Sequence, residues 1–230
     1  MGGTSSFSRT FHPLLYAISA LTAMQKAARA RDNKHDRILK AAISVFARNG
    51  FFNSRISEIA REAEVADGTI YLYFKNKDDI LISIFEESLD DILNEVQASL
   101  ASVDCSLEKL RVFILFHLEQ TTINPPLAEV LQVELRQSTK FMKEYQKVKF
   151  KKYLDLIQEI VLEGQSKGEI RQDVHPGVVK RLIFGALDEV ALHWVLSRKR
   201  YDLRESSEQL SRILVDGLRA DAQLPEGEQI

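Results

Sequence analysis

Ile56-Ser57-Glu58-Ile59-Ala60 and, after a short break, Val65-Ala66-Asp67-Gly68-Thr69-Ile70-Tyr71-Leu72-Tyr73-Phe74-Lys75-Asn76-Lys77 decide how this chain reads. In the first stretch Ile56, Ile59, Ala60 and Ala63 fall on one face of a helix predicted over residues 55–62, with Ser54 as its N-cap. In the second, Asp67 is the expected cap of a helix over 67–74. There Ile70 and Phe74 are spaced i, i+4 and share the inward face, which leaves Thr69, Tyr71, Leu72 and Tyr73 outside. An exposed aromatic patch calls for a partner. Tyrosine hydroxyls donate to phosphate oxygens, and threonine and aromatic faces meet base edges and thymine methyls. Lys75 and Lys77 follow at once, beside where a nucleic-acid backbone would run. Two short helices joined by a tight turn are the pattern of a helix-turn-helix. The competing reading is a helical hairpin whose tyrosines pack on a neighbour.

The pattern outside these stretches is helical as well. Ile38, Ala41, Ala42, Val45 and Phe46 repeat at amphipathic helix spacing and stop at Asn49-Gly50, where glycine suits a left-handed helix end. A further helix is predicted to start near Asn76 or Lys77 and to run to about residue 101. Helical segments are then expected over 107–121, 127–138, 141–167, 176–197 and 203–219. Pro125-Pro126 and the stretch 168–176 separate them. No stretch alternates as a strand does, so the expected fold is all-α.

Apolar residues are 45% of the chain and charged residues 28%, an ordinary balance for a soluble globular protein. The net charge of −2 conceals an asymmetry. From Met24 to Ile80 eleven Lys/Arg face eight Asp/Glu, whereas from Leu81 onward nineteen face twenty-five. A basic amino-terminal module on an acidic body suits nucleic-acid binding at one end. Lone Cys105 offers no internal disulfide, and the five scattered histidines with one thiol predict no metal site. Residues 1–23 carry no Asp or Glu, and their apolar run at 13–23 is too short to span a membrane. They read as an extension that is disordered or loosely docked, or as a segment upstream of a true start at Met24. Residues 223–230 read as a frayed tail.

With Ile38-Leu39-Lys40-Ala41-Ala42 and Phe46-Ala47-Arg48-Asn49-Gly50-Phe51 added, the stretch from Ile38 to Leu81 resembles the DNA-binding domain of TetR-family transcription regulators. The resemblance implies a helix-turn-helix domain at 24–80, a larger helical ligand-binding and dimerisation domain at 81–222, and a homodimer on double-stranded operator DNA in the cytoplasm. It implies that Gly68, Thr69, Tyr71, Leu72 and Tyr73 face DNA, that Lys77 reaches a phosphate, and that Ser54 and Arg55 meet the backbone. This chain departs from the family in two places. Glu64 stands where the turn commonly has glycine, so a left-handed non-glycine residue is expected there at a cost of about 1 kcal/mol. Ala66 replaces a commoner Ser or Thr.

Two later stretches, Leu131-Gln132-Val133-Glu134-Leu135-Arg136-Gln137-Ser138 and Arg181-Leu182-Ile183-Phe184-Gly185-Ala186-Leu187-Asp188-Glu189, resemble the FadR-type members of that family. These repress fatty-acid degradation and respond to long-chain acyl-CoA. Such an effector needs an apolar tunnel, and Phe113, Phe116, Leu131, Leu135, Phe184, Leu187 and Trp194 are its candidate lining. A basic strip of Arg136, Lys140, Lys143, Lys147 and Lys151 is the candidate site for the CoA phosphates, with a helix break allowed near Lys140. For any one of these residues, ordinary core or a solvated charged face is the competing reading. Leu182, Leu187, Ile213, Leu214 and Leu218 are the candidate dimer series. No phosphate-cradling glycine loop, HExxH or nucleophile elbow is present, so an enzyme is not expected and no cofactor is implied. The alternatives are a TetR-type regulator of another hydrophobic effector, such as a drug or signal molecule, an architectural DNA binder, and a helical lipid-binding protein or enzyme.

Overall fold

The computed structural model describes residues 34–144, 148–197 and 201–220. The expectations for residues 1–23 and 223–230 lie outside them. Helix α1 (Lys34–Asn49) buries Ile38, Ala42, Val45 and Phe46, the face its periodicity predicts. It stops at Gly50, whose φ of +78° is the left-handed conformation expected there. Helices α2 (Ile56–Glu62) and α3 (Asp67–Tyr73) contribute Ile59, Ala60 and Ile70 to the same core. Both caps fall elsewhere than the sequence suggests. Arg55, not Ser54, is the N-cap of α2, and its amide donates to Glu58 Oε2 at 2.8 Å. Ala66, not Asp67, caps α3 and offers no side-chain acceptor.

Helix α4 (Lys77–Leu100) begins as predicted, with Asn76 Oδ1 accepting from the Asp79 amide at 2.9 Å. It runs unbroken through the expected domain boundary at residues 80–81, so one continuous helix joins head to body. The body packs α4 with α5 (Ser106–Ile123), α7 (Val148–Ser166) and α8 (Pro176–Leu196). Helix α9 (Leu203–Asp216) lies along α5, where its buried Ser207 and Ser211, one turn apart, leave room for close approach. The chain beyond α9 is tied back through Arg171 N to Leu218 O and Ala220 N to Glu169 O, each 3.0 Å. Gly164 is needed where α7 meets its neighbours, since a Cβ there would come within 2.5 Å of Ile170.

The stretch predicted as one helix over 127–138 is a mixture. Helix α6 (Pro125–Glu129) passes into π-helical winding (Val130–Glu134) and then a 3-10 turn (Leu135–Gln137). Ser138 is extended, which places the allowed break two residues before Lys140. A second π stretch (Lys140–Glu144) follows. Irregular winding lets this segment face two ways. Glu134 turns to the helix-turn-helix head while Leu131 and Leu135 turn into the body.

Candidate DNA interface and effector cavity

On the head, α3 exposes the side chains that periodicity places outside. Leu72 is 81% exposed, Tyr71 59% and Tyr73 42%, while Ile70 and Phe74 are buried. Gly68 lies at the open start of the helix with nothing within 4 Å of where a Cβ would stand. Thr69 is half-buried, and Arg55 and Lys75 are exposed nearby. The turn before α3 holds Glu64 at φ +54°, the left-handed conformation expected of it. Arg37 supports this turn, donating to Ala63 O at 2.6 Å and to Glu64 O at 3.2 Å. Behind Phe74, His35 stacks on its ring at 5.0 Å and meets Glu87 of α4 at 3.4 Å. His35, Asp36 and Glu87 bring their ligand atoms within 4.8 Å of one another, and their pairing ties α1 to α4.

Two of the DNA-contact assignments change. Ser54 is buried, and its hydroxyl donates to Gly50 O at 2.7 Å, closing the end of α1 instead of facing out. Lys77 directs its ammonium to three carbonyls, Phe51 O at 2.5 Å, Ser54 O at 3.0 Å and Phe52 O at 3.1 Å. It also lies 4.6 Å over the Phe51 ring. An ammonium has three protons, so this lysine clasps the α1–α2 connection and has no donor left for phosphate. Burial accordingly holds its pKa below the usual lysine value, against the opposing pull of Asp78.

In the body, α4 to α8 enclose a cavity of about 510 Å³, within the size range of small-molecule sites. Four expected ligand residues line it: Leu131, Leu135, Arg136 and Phe184. Four others do not. Phe113 packs on the Tyr153 ring at 5.1 Å, Trp194 donates to Tyr201 O at 3.0 Å, and Phe116 and Leu187 are buried in solid core. Their assignment to the lining is corrected on that ground, because core and cavity wall draw on the same residue types.

The basic strip does not form one helical face. Arg136 pairs with Asp188 at 2.5 Å on the cavity wall. Lys151, on a different helix, pairs with Asp155 at 2.9 Å. Lys143 is exposed on the second π stretch, and Lys147 lies outside the described residues. The sequence reading missed the wall given by Phe85, Leu89 and Ile92 of α4, and by Phe141 and Phe150. It also missed His117 and Tyr153. A histidine set in the apolar run Phe116-His117-Leu118 was the signal that something polar faces inward there.

One segment touches both the cavity and the head. Glu134, buried on the π stretch, accepts from the Phe51 amide at 2.5 Å. Ser138, also buried, donates to Asp78 at the start of α4 at 2.6 Å. Their neighbours Leu131, Leu135 and Arg136 form cavity wall. The same short segment thus lines the cavity and is hydrogen-bonded to the head.

Comparison with known proteins accords with this arrangement. The family model for bacterial regulatory proteins of the tetR family matches residues 38–84, and the model for the C-terminal region of YsiA-like proteins, also of TetR type, matches residues 85–217. The chain belongs to the TetR family. The fatty acid metabolism regulator protein of Bacillus subtilis is 38% identical over 185 residues, which is 80% of this chain and 95% of that protein. The crystal structure of a Bacillus subtilis transcriptional regulator FadR in complex with stearoyl-CoA superposes with a TM-score of 0.75 at 38% identity, over 80% of this chain and 98% of that one. The fatty acid degradation regulator FadR of Bacillus halodurans gives 0.77 at 36% identity, over 84% and 100%. The all-α TetR fold expected from sequence is thus the observed one, and these relatives are transcription regulators, not enzymes. Among the described residues no helix is long and apolar enough to cross a membrane.

Proposed function

We propose that this TetR-family protein represses genes of fatty-acid metabolism in the cytoplasm and leaves its operator when a long-chain acyl-CoA fills the cavity. The observation that carries this reading is the double-faced segment 130–138, which is effector wall on one side and head anchor on the other. Two exposed apolar sites on α8, Val178 at 60% and Leu182 at 56%, stand with Ile213 of α9 at 72% as the dimer face. Leu187 and Leu218 leave the expected dimer series because both are buried within the chain. A symmetric dimer places two copies of α3 on a pseudo-palindromic operator. The tail occupies space among Phe85, Phe141, Phe150 and Phe184, and Arg136 at the wall is the candidate partner for the CoA phosphates. A filled cavity favours a conformation in which the two recognition helices no longer match successive major grooves.

Titrating acyl-CoAs of rising chain length against the protein–operator complex tests the reading. Each buried methylene contributes about 0.8 kcal/mol, so lengthening by four carbons should gain up to about 3 kcal/mol until the cavity is full. Free fatty acid, lacking the phosphates, should act weakly. No release at any length below the micelle-forming concentration would remove the effector reading and leave the TetR assignment untouched.

A further inference from the structure

The wall of the cavity mixes apolar side chains with polar ones, and one polar pair is built into the protein's depth. His117 of α5 and Tyr153 of α7 are joined at 2.6 Å between Nδ1 and the phenolic oxygen. Tyr153 is buried, and Phe113 packs on its ring. His117 is enclosed by protein yet half-open to the cavity, with Phe184 edge-on at 6.1 Å. Its other nitrogen, Nε2, has no protein partner among the described residues.

The tautomer follows from counting protons. If Nδ1 carried the proton, the tyrosine hydroxyl would accept it, and both the phenolic O–H and Nε2 would be left without partners. If the hydroxyl donates to Nδ1, only the Nε2–H is left, and it faces open space. The second arrangement leaves fewer buried polar groups unpaired and is the stable one. Burial reinforces it by keeping the imidazole neutral, with a pKa pushed down to about 4 although Asp188 pulls the other way.

The position of this donor is informative. Phe184, whose ring is edge-on to His117, lies one turn before Asp188 on α8, and Asp188 is the residue that pairs with the exposed Arg136. His117 therefore stands at the join between the Arg136–Asp188 pair and the phenylalanines Phe184 and Phe150. In an acyl-CoA the group at that junction is the thioester, whose carbonyl oxygen is the one acceptor on the acyl chain. We infer that His117 Nε2–H donates to the thioester carbonyl of the effector, and that Tyr153 is a positioning residue that fixes the tautomer able to do so. This deepens the acyl-CoA reading and rests on it. The site thereby recognises the join between acyl chain and CoA as well as the chain itself.

The test compares palmitoyl-CoA with S-hexadecyl-CoA, a thioether of the same length in which the carbonyl is a methylene, by calorimetric titration of the full-length protein. Wild type should bind palmitoyl-CoA about fivefold to tenfold more tightly. His117→Leu should bind the two alike, and Tyr153→Phe, which frees the tautomer, should fall between. Equal affinities in wild type, or a preference unchanged in both variants, would overturn the assignment. Should His117→Leu fail to fold, Tyr153→Phe decides alone, because the ratio of two ligands on one protein is insensitive to its stability. A wild type that binds both equally removes only the role of His117. One that binds neither removes the acyl-CoA reading and this inference with it.

Discussion

The head and the body of this protein are held together in different ways. In the head, short helices meet around a solid core, and charged or polar side chains close each connection. Lys77 clasps three carbonyls between α1 and α2, Ser54 closes the end of α1, and Arg37 holds the turn before α3. In the body, longer helices surround a cavity, and one wall is wound partly as π-helix. Close-packed units move as wholes, whereas a wall that borders a void can shift at small cost. The difference teaches where a signal can originate. On the proposed function the body would deform, the head would be displaced as a unit, and segment 130–138 would hand one to the other.

Four changes would sharpen or break this contrast. The largest concerns the buried polar group of the body. His117 has a folded pKa near 4 against 6.5 for a free histidine, so the unfolded chain takes up its proton first as pH falls. Its contribution is complete above pH 6.5 and is lost as pH falls toward 4, by as much as about 3 kcal/mol. Chemical denaturation across that range should show wild type losing more stability than His117→Leu, and parallel profiles would contradict it.

Next comes the clasp of the head. Lys77→Ala should cost about 2 kcal/mol or more, because it strips hydrogen bonds from three carbonyls. The salt slope of operator binding should stay where it is. A slope reduced by about 1 per lysine with stability intact would return Lys77 to a phosphate. Glu64→Gly should then stabilise by about 0.5–1 kcal/mol, the relief of a left-handed residue less the added freedom of glycine when unfolded. Smallest of all, Tyr71→Ala should change the melting free energy by less than about 0.5 kcal/mol while operator affinity falls clearly. Loss of stability with unchanged affinity would mean that the tyrosine is packing, not reading.

The outward face of α3 was legible because helical geometry leaves little choice. Once Ile70 and Phe74 point in, Tyr71, Leu72 and Tyr73 point out. The left-handed turn at Glu64 was legible from the family resemblance, which puts glycine at that place. The fates of Ser54 and Lys77 were not, since their partners are backbone carbonyls whose orientation exists only after α1 and α2 have docked. In the body the helices could be placed but the cavity could not. Phe113 and Phe184 are both aromatic residues on predicted helices, and only the assembled body shows that one packs on Tyr153 and the other borders the cavity. The break between Gln137 and Lys140 was allowed for. The π winding before it was hidden, because nothing in Val130-Leu131-Gln132-Val133-Glu134 disfavours an ordinary α-helix.

Reciprocity between the two sites offers the sharpest check on the hand-over through segment 130–138. If cavity and head are coupled, operator binding must weaken acyl-CoA binding by the same factor as acyl-CoA weakens operator binding, commonly about 5–150-fold. Measuring palmitoyl-CoA affinity with and without operator gives that factor for wild type and for Glu134→Ala, in which the Phe51 amide loses its acceptor. The account predicts a large factor in wild type and a clearly smaller one in Glu134→Ala, where only the Ser138–Asp78 link of the segment remains, with each ligand still bound on its own. A factor unchanged by Glu134→Ala would contradict it and place the coupling elsewhere in the molecule.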